Sequence, residues 1–274
     1  MSYLWNAWLL DGLPDPPPCM LDTHDIMHLR AARFSEQGLA NDPILSREEE
    51  SARMRPFDAL LAIQAEEAQL LRAMCPGKPV ITAGHAFPAH PPVFHEKSPL
   101  RLLFVAAQGI HNQATILGFL KEVWPALRRH HGDGVVLDIA GSIGESLRES
   151  PLPEGVSVLG FVQDLDALYA GADIVVNPVY AGSGLKIKNV EALCQGLPLV
   201  TTPVGAEGLG MAGESPCLIG DTPEAMIRAI DRLLSDPAER RRWAETAHQF
   251  AARYLTEEAV YREFLDFLES FRRR

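Results

Sequence analysis

Short hydrophobic runs alternate with segments of helical spacing along the second half of this chain. Each run is rich in β-branched residues and apolar on both faces, which predicts strands buried in a parallel sheet. The amphipathic segments between the runs predict helices. Strict alternation of strand and helix is typical of a doubly wound α/β sheet. The predicted strands span 102–106, 135–140, 156–162, 173–179, 197–204 and 217–219, and the predicted helices span 113–129, 143–149, 164–170 (Asp164 as N-cap), 185–195, 223–234, 238–254 and 257–271.

The first half follows the same order less regularly and predicts about three strands of a second parallel sheet. Its predicted strands span 20–22, 57–63 and 79–83, and its predicted helices span 26–37, 47–55 and 66–74. Residues 85–99 are rich in proline and lack periodicity, so we predict an inter-domain linker there. The expected organisation is a first domain over 1–98, a second domain over 99–255, and a helix over 256–274 that packs back on the first domain.

A strand, a Gly-Ser-Gly turn, a short helix and a second strand follow one another between residues 173 and 205. Open α/β folds bind ligands at the carboxyl ends of parallel strands, where such a helix begins. A helix start offers unpaired N–H groups and a partial positive charge. Gly182 and Gly184 allow close approach to the backbone, and Lys186 and Lys188 add two cations. This corner therefore predicts an anion site.

Glu191 follows Lys188 by about one helical turn. A carboxylate at that position can accept hydrogen bonds from both hydroxyls of a ribose. The alternative interpretation assigns no ligand to these residues. In it, the glycines form only a turn, the lysines are solvated, and Glu191 pairs with Lys188.

Composition excludes several classes of partner. The formal net charge is −11, with 47% hydrophobic and 22% charged residues, which argues against duplex nucleic acid or an anionic membrane as the main partner. No apolar run approaches a membrane span, so membrane contact is expected to be peripheral at most. The four cysteines are scattered and form no Cys-x-x-Cys pair, which indicates reduced packing residues in a cytoplasmic protein.

An ordered series of motifs runs through residues 100–255. It comprises Phe104-Val105-Ala106, Asp138-Ile139-Ala140-Gly141, Val158 to Val162, Leu168 to Asp173, Gly182 to Lys188, Glu191-Ala192-Leu193 and Gly196 to Val200. In order and spacing this series resembles the donor-binding domain of family 4 retaining glycosyltransferases. That family has the GT-B fold, so the resemblance implies two Rossmann-like doubly wound domains.

Residues 18–98 resemble the later part of the family's acceptor-side domain, whose first strands have no counterpart here. The first domain is therefore expected to be incomplete. A fragment, a mis-set start and a divergent, truncated protein all explain this equally well.

The resemblance implies a donor site. Glu191 matches the second glutamate of the family's Glu-x7-Glu motif, a ribose clamp, whereas Ser183 stands at the first. The family's arginine and lysine after the first strand of this domain are absent, and a subgroup with Gly-Ser-Gly-Leu-Lys-x-Lys is similar instead. Lys186 and Lys188 are then expected to neutralise the diphosphate. The implied donor-binding residues are Gly109, Asn112, Gly141, Phe161, Val162, Gly182, Ser183, Gly184, Leu185 and Glu191.

His24 matches a histidine that faces the cleft in this family, so the expected catalytic residues are His24, Lys186 and Lys188. A neutral imidazole there can bond to donor or acceptor hydroxyls. The alternative is that His24 and Asp25 only cap the following helix. No pair of histidines has the spacing of a zinc site, so we expect no metal. The other histidines considered, His28, His85, His90, His95 and His111, are expected to be incidental.

The function that the resemblance implies is metal-independent transfer of a sugar from a nucleotide-diphosphate sugar to an acceptor hydroxyl, with retention of configuration. The donor is the substrate, no cofactor is expected, and the acceptor is a glycan, a lipid-linked compound or a small molecule. Two alternatives remain: a non-catalytic nucleotide-sugar-binding or scaffold protein, and a nucleotide-sugar epimerase on the same fold. The aromatic cluster of Tyr3, Trp5 and Trp8 suggests a homodimer.

Overall fold

The computed structural model describes residues 1–11, 13–39, 45–94, 98–148, 150–210 and 213–272. Two compact units divide the chain: the first comprises Met1–Ala86, Ala181–Leu185 and Glu257–Arg274, and the second Phe87–Tyr180 and Lys186–Thr256. The predicted domain limit at 98 thus lies inside the second unit. The expectations for His95, for the end of a helix at Glu149, and for arginines at 273 and 274 fall outside the described residues.

The first unit contains a three-stranded parallel sheet in its described part, as the pattern predicted, and the order of its strands is β1-β2-β3. Its helices pack on a core that includes Leu21, Met54 and Leu60. The elements are a 3₁₀ helix at Leu4–Leu10, β1 at Met20–Asp22, α1 at Met27–Glu36, α2 at Arg47–Met54, β2 at Ala59–Ala62, α3 at Ala65–Met74, β3 at Val80–Thr82 and α11 at Glu257–Arg272. The backbone N–H of Thr82 donates to Glu263 of α11 over 3.0 Å.

The amino-terminal residues belong to this unit and pair with its sheet beside β1. Ser2 pairs with Asp22 beside β1 in a parallel bridge, and the N–H of Tyr3 donates to the carbonyl of Asp22 over 3.0 Å. Leu4 and Ala7 are buried in the core, whereas Trp8 is 66% exposed. Within the aromatic cluster, Tyr3 and Trp8 are thus exposed, whereas Trp5 is half-buried.

The backbone N–H groups at the start of α1 donate to a side chain from α2. The carboxylate of Glu50, which is fully buried, accepts from the N–H groups of Met27 at 2.8 Å and His28 at 3.0 Å, and it also meets His28 Nδ1 at 2.6 Å. The N-cap, Ile26, makes no side-chain cap bond. Hence the interpretation of His24 and Asp25 as caps of this helix is wrong.

Glu50→Ala is expected to lower the free energy of unfolding by about 1–3 kcal/mol, because it leaves buried N–H groups at the start of α1 without an acceptor. Urea denaturation measures this effect. Glu48→Ala on the exposed face of the same helix is the control. An equal effect of both substitutions would contradict this account of the helix start.

The second unit is a doubly wound parallel sheet with the strand order β6-β5-β4-β7-β8-β9 across its described residues. Its strands pair in parallel throughout. The strands are β4 at Leu100–Val105, β5 at Val135–Ala140, β6 at Val156–Gly160, β7 at Ile174–Asn177, β8 at Leu199–Thr201 and β9 at Leu218–Ile219. The helices are α4 at Ile110–Glu122, α5 at Trp124–His131, α6 at Gly144–Leu147, α7 at Leu165–Ala170, α8 at Ile187–Cys194, α9 at Pro223–Ser235 and α10 at Pro237–Tyr254, with a 3₁₀ turn at Gly132–Gly134.

The single helix predicted over 113–129 is wrong, because the chain breaks it into α4 and α5. Pro125 lies in the first turn of α5. Proline has no N–H to donate and clashes with the preceding turn, so it favours a helix start over a helix interior. The break places Trp124 in the core with no exposed surface, and its indole N–H donates to the carbonyl of Glu154 over 3.1 Å.

Several local signals were read correctly. The carboxylate of Asp164 accepts from the N–H of Ala167, which confirms it as an N-cap. Gly196 ends α8 with a φ of 65°. Part of the proline-rich segment packs against that end, since the N–H of His90 donates to the carbonyl of Cys194 over 2.6 Å. Cys75, Cys194 and Cys217 are buried free thiols, and Cys19 is half-buried.

Within the described ranges, every helix is too short or too polar to span a lipid bilayer.

Candidate functional site

The order of the strands defines a ligand crevice in the second unit. From β4 the chain winds outward through β5 and β6, and then returns beside β4 at β7 to wind the other way. The carboxyl ends of β4 and β7 are therefore the topological switch point, where doubly wound sheets bind ligands. Helices α4 and α8 follow these two strands and begin at Ile110 and Ile187. The amino termini of α4 and α8 therefore both lie at the switch point, and a helix amino terminus favours a bound anion.

Lys188 lies in the first turn of α8 and extends across the switch point toward β4 and α4. Its Nζ donates to Asn112 Oδ1 on α4 over 3.3 Å. It also lies 5.2 Å from the centre of the Phe104 ring on β4. Burial, followed by repulsion from Lys186, lowers the pKa of Lys188 to about 8, while the Glu191 carboxylate opposes the shift. Because Lys188 is half-buried, water screens its charge less than that of a surface lysine, so it can stabilise an anion.

Asn112 lies on α4, across the crevice from α8. It is 7% exposed, and its Nδ2 donates to the carbonyl of Ala107 over 2.9 Å. Its two amide atoms therefore link the loop after β4 to Lys188. Gly109, at the N-cap of α4, has an extended backbone with a φ of 165°.

Lys186 is the N-cap residue of α8, and its side chain is only 10% exposed. Its Nζ lies 3.8 Å from Glu207 Oε2. The interpretation of both lysines as solvated surface residues is therefore wrong. Together they contribute two cations to the start of one helix.

Glu191 is half-buried one turn further along α8. Its Oε2 accepts from the hydroxyl of Tyr169 over 2.9 Å. Burial raises the pKa of this carboxyl, and the Tyr169 hydroxyl and the Lys188 ammonium each lower it again. Burial and the neighbouring carboxylate also raise the pKa of Tyr169. In the alternative interpretation Glu191 pairs with Lys188. The structure instead gives Lys188 a hydrogen bond to Asn112, and Glu191 accepts one from Tyr169. The ribose contact stays a prediction.

A buried polar network, which was not predicted from the sequence, fixes α8 on the sheet. Asn189 is fully buried; its Oδ1 accepts from Asn177 Nδ2 over 2.8 Å, and its Nδ2 donates to the carbonyl of Gly205 over 2.7 Å. The hydroxyl of Thr201 donates to the carbonyl of Asn177 over 2.7 Å, and that of Thr202 donates to the carbonyl of Val179. The polar residues ending the runs of β7 and β8 were a signal for it. This network positions the lysines, which lie on the same helix.

Gly141 follows β5, and the backbone packed against it explains why this position holds a glycine. It has a φ of 98°, and a Cβ there would lie 2.1 Å from the carbonyl oxygen of Ala106. Its N–H donates to the carbonyl of Gly160 over 2.7 Å. Phe161, which comes directly after β6, is 83% exposed, and Val162 is half-buried. These residues follow β5 and β6 at the carboxyl edge of the sheet, whereas the predicted strand over 156–162 included Phe161 and Val162. Their contact with a donor stays a prediction.

Four residues of the implied donor loop, Gly182 to Leu185, belong to the first unit. The Ser183 hydroxyl donates to Asp25 Oδ1 over 2.7 Å, and Arg33 donates to the carbonyl of Gly182 over 2.8 Å. Asp25 also pairs with Arg30 at 2.8 Å. Thus the predicted site residues form two groups, one in each unit.

His24 lies in the first unit with a left-handed backbone, at a φ of 59°. Its ring stacks on Tyr3 with the ring centres 4.0 Å apart. Its Nε2 lies 2.5 Å from Ser2 Oγ and 3.1 Å from Asp22 Oδ2. A left-handed conformation in a residue other than glycine is strained and often accompanies function.

A cavity of about 710 Å³ opens beside His24 within the first unit. His85 lines it, and burial followed by the nearby His24 lowers the pKa of the His85 imidazole. His85 was predicted to be incidental, yet it faces a cavity. The remaining lining residues come from the strand ends and α11; they include Leu61, Ile63, Glu257, Tyr261 and Phe264.

Comparison with known proteins identifies the family. The family described as glycosyl transferases group 1 matches residues 99–236, half of the chain. The chain belongs to this family. The sequence also resembles an uncharacterized 44.6 kDa protein in the cps region of Klebsiella pneumoniae, with 28% identity over 172 residues, 56% of this chain and 41% of that protein.

A second curated relative is the D-inositol 3-phosphate glycosyltransferase of Corynebacterium urealyticum. It is 37% identical over 97 residues, which is 35% of this chain and 23% of that protein. The chain therefore spans less than half the length of either curated relative.

Solved structures of low identity share the fold. Sucrose-phosphate synthase from Thermosynechococcus elongatus has a TM-score of 0.75 at 18% identity, covering 98% of this chain and 72% of that one. HepE of Anabaena, in complex with UDP and glucose, has a TM-score of 0.68 at 15% identity over 92% and 72%. The glycosyltransferase fold with two Rossmann-like domains, GT-B, is therefore confirmed.

Proposed function

We propose that this glycosyltransferase-family chain transfers a sugar from a nucleotide-diphosphate sugar to an acceptor hydroxyl, with retention of configuration and without a metal ion. One observation carries the proposal. The half-buried Lys188 lies at the start of α8, and its ammonium donates to Asn112 at the switch point of the sheet. A diphosphate is the ligand whose charge and oxygen donors suit that position.

Lys186 and Lys188 supply the charge that a metal ion would otherwise supply to the diphosphate. As the bond between the anomeric carbon and the phosphate oxygen breaks, negative charge grows on the leaving phosphate. Two cations and the N–H groups of α8 stabilise that charge in place, without reorganising solvent. This electrostatic effect supports the leaving-group half of the reaction.

The acceptor half of the reaction needs no carboxylate base in this scheme. The acceptor oxygen bonds to the anomeric carbon on the face that the phosphate leaves, and its proton passes to an oxygen of the leaving phosphate. The bond from the anomeric carbon to the phosphate breaks and the bond to the acceptor oxygen forms on the same face of the sugar, so configuration is retained, while the acceptor O–H bond is replaced by a phosphate O–H bond. The sequence resemblance to family 4 retaining glycosyltransferases, in particular to those with a Gly-Ser-Gly-Leu-Lys-x-Lys loop, supports this sequence of events.

Glu191 is proposed to hold the ribose of the donor. The Tyr169 hydroxyl donates to its Oε2, and the ribose hydroxyls are proposed to donate to this carboxylate as well. The HepE complexes contain UDP and UDP-glucose, so uridine donors are the first to test. Acceptors to test span glycans, lipid-linked compounds and small molecules.

Glu191→Ala is expected to abolish most of the thermal stabilisation by UDP-glucose, because it removes a charged partner of the ribose worth about 1.5–3 kcal/mol. Differential scanning fluorimetry at saturating donor measures the shift in Tm. Glu245→Ala, an exposed carboxylate on α10, is the control. Equal shifts in Glu191→Ala and the parent would remove Glu191 from the donor site.

The test of transfer itself is a proton NMR time course of UDP-glucose with an acceptor panel in the presence of a chelator. A product that keeps the anomeric configuration of the donor supports the proposal. An inverted product, or activity that the chelator abolishes, would overturn retention or metal independence. Donor conversion without any acceptor would instead mark an epimerase.

A non-catalytic nucleotide-sugar-binding protein is the second candidate function. Ser183 stands where the family has its first motif glutamate, and its hydroxyl donates to Asp25 in the first unit. A donor-sugar contact made by the family is thereby altered. Donor binding without product across the whole acceptor panel would favour this function.

A further inference from the structure

A second cluster of ligand-type side chains lies outside the candidate donor site. His130 and His131 end α5, and Asp231 lies on α9. One ligand atom from each of these residues lies within 4.8 Å of the other two. His130 Nδ1 is 2.7 Å and His131 Nε2 is 2.8 Å from the same oxygen, Asp231 Oδ1. The three side chains thus converge on one point.

We propose that His130, His131 and Asp231 bind a divalent transition-metal ion of the zinc type. Zinc takes imidazole nitrogen and carboxylate oxygen at about 2.0–2.2 Å, so its tetrahedral ligands lie about 3.4 Å apart. The two nitrogen–oxygen separations to Asp231 are shorter than this, so metal binding requires the Asp231 carboxylate to move away from the two rings. Two imidazoles with one carboxylate favour zinc, cobalt or nickel over magnesium and calcium, which prefer oxygen.

The surroundings of the cluster also favour a cation. The two histidines stand in the last turn of α5, where the helix carries partial negative charge. Arg128, in the same turn, is compensated by Asp133 at 2.8 Å and Glu154 at 3.5 Å. The side chains of His130 and Asp231 are 67% and 32% exposed, so an ion can reach the cluster and keep water ligands.

The metal site is separate from the candidate donor site. His131 precedes β5, which begins at Val135, so it lies toward the amino ends of the strands. Lys188 and Asn112 belong to the carboxyl ends. The ion would therefore join α5 to α9 and act on stability, not on the leaving phosphate. The expectation of no metal rested on spacing along the chain, and Asp231 lies 100 residues after His131.

The experiment uses the full chain, stripped with a chelator and then titrated with CoCl₂ by absorbance and with ZnCl₂ by calorimetry. We expect saturation at one ion per chain, no competition by MgCl₂, and a cobalt spectrum without thiolate charge-transfer bands. His130→Ala, at an exposed position, and Asp231→Asn should each weaken binding by about tenfold or more. Asp133→Asn, a nearby carboxylate with an exposed side chain, should bind like the parent.

Zinc should also raise the Tm of the parent and of Asp133→Asn, and should leave the Tm of Asp231→Asn unchanged. Unchanged affinity in His130→Ala and Asp231→Asn would overturn the proposal, as would thiolate bands or the absence of saturation. His130→Ala keeps the test valid if Asp231→Asn fails to fold.

Discussion

Lys188→Met is expected to weaken binding of a nucleotide-diphosphate sugar at least about tenfold, and to lower turnover by about 10²–10³-fold. The substitution keeps the length of the side chain but removes the cation that Asn112 and Phe104 hold at the switch point. Calorimetry with UDP-glucose measures the affinity, and product formation measures the turnover. Lys121→Met, on the exposed side of α4, should behave like the parent.

The same lysine also has a distinct pH signature. The donor diphosphate needs the charged form of Lys188, whose pKa is lowered to about 8 in the free protein. Affinity should therefore be constant below pH 8 and fall above it, by at most about tenfold per pH unit. Affinity that does not change between pH 7 and 9 would separate Lys188 from the ligand.

The free energy of unfolding should change with pH in the opposite direction to donor affinity. The unfolded chain holds the Lys188 proton more tightly than the folded chain, whose pKa is the lower of the two. The cost of burying this cation is thus fully present below pH 8 and is relieved as pH rises from about 8 toward the ordinary value. Lys188→Met should remove this slope without lowering stability at pH 7. Urea denaturation at pH 7 and 9 measures it.

Gly141→Ala is expected to lower the free energy of unfolding by about 3 kcal/mol or more. The methyl group would lie 2.1 Å from the carbonyl oxygen of Ala106, and the φ of 98° disfavours any side chain. The obstacle is backbone, so no side-chain rotation relieves it. Chemical denaturation measures the loss.

Gly118→Ala is the matched control, because Gly118 lies inside α4 with no atom within 4 Å of an added Cβ. Alanine there should raise stability by about 0.5–1 kcal/mol, as it does in helix interiors. If both alanine variants lost equal stability, the close approach at Gly141 would not be the cause.

The order of elements was predictable because it is encoded locally. Buried β-branched runs and amphipathic segments have different periods, and Asp164 and Gly196 mark helix ends by their own chemistry. Strand limits were less accurate, because pairing partners decide where a ladder stops. The break between α4 and α5 had a local signal in Pro125, which the helical period of the flanking residues outweighed.

The partners of the site residues were not predictable in the same way. Motif spacing made Lys188 and Glu191 candidates, but Asn112 lies 76 residues from Lys188 and Tyr169 lies 22 from Glu191. Glu50 looks like one of three equivalent glutamates at the start of α2. Only the fold shows that this one is buried beneath α1.

The assignment of Ala181–Leu185 to the first unit limits how this protein can be dissected. A polypeptide cut to 87–256 would retain this five-residue insertion but lose Asp25 and Arg33, which bind Ser183 and Gly182. Such a truncation removes the hydrogen bonds that hold the segment just before Lys186 in place. Weak donor binding by an isolated second unit would then reflect the loss of these two contacts, and would not show that the donor site was assigned to the wrong residues.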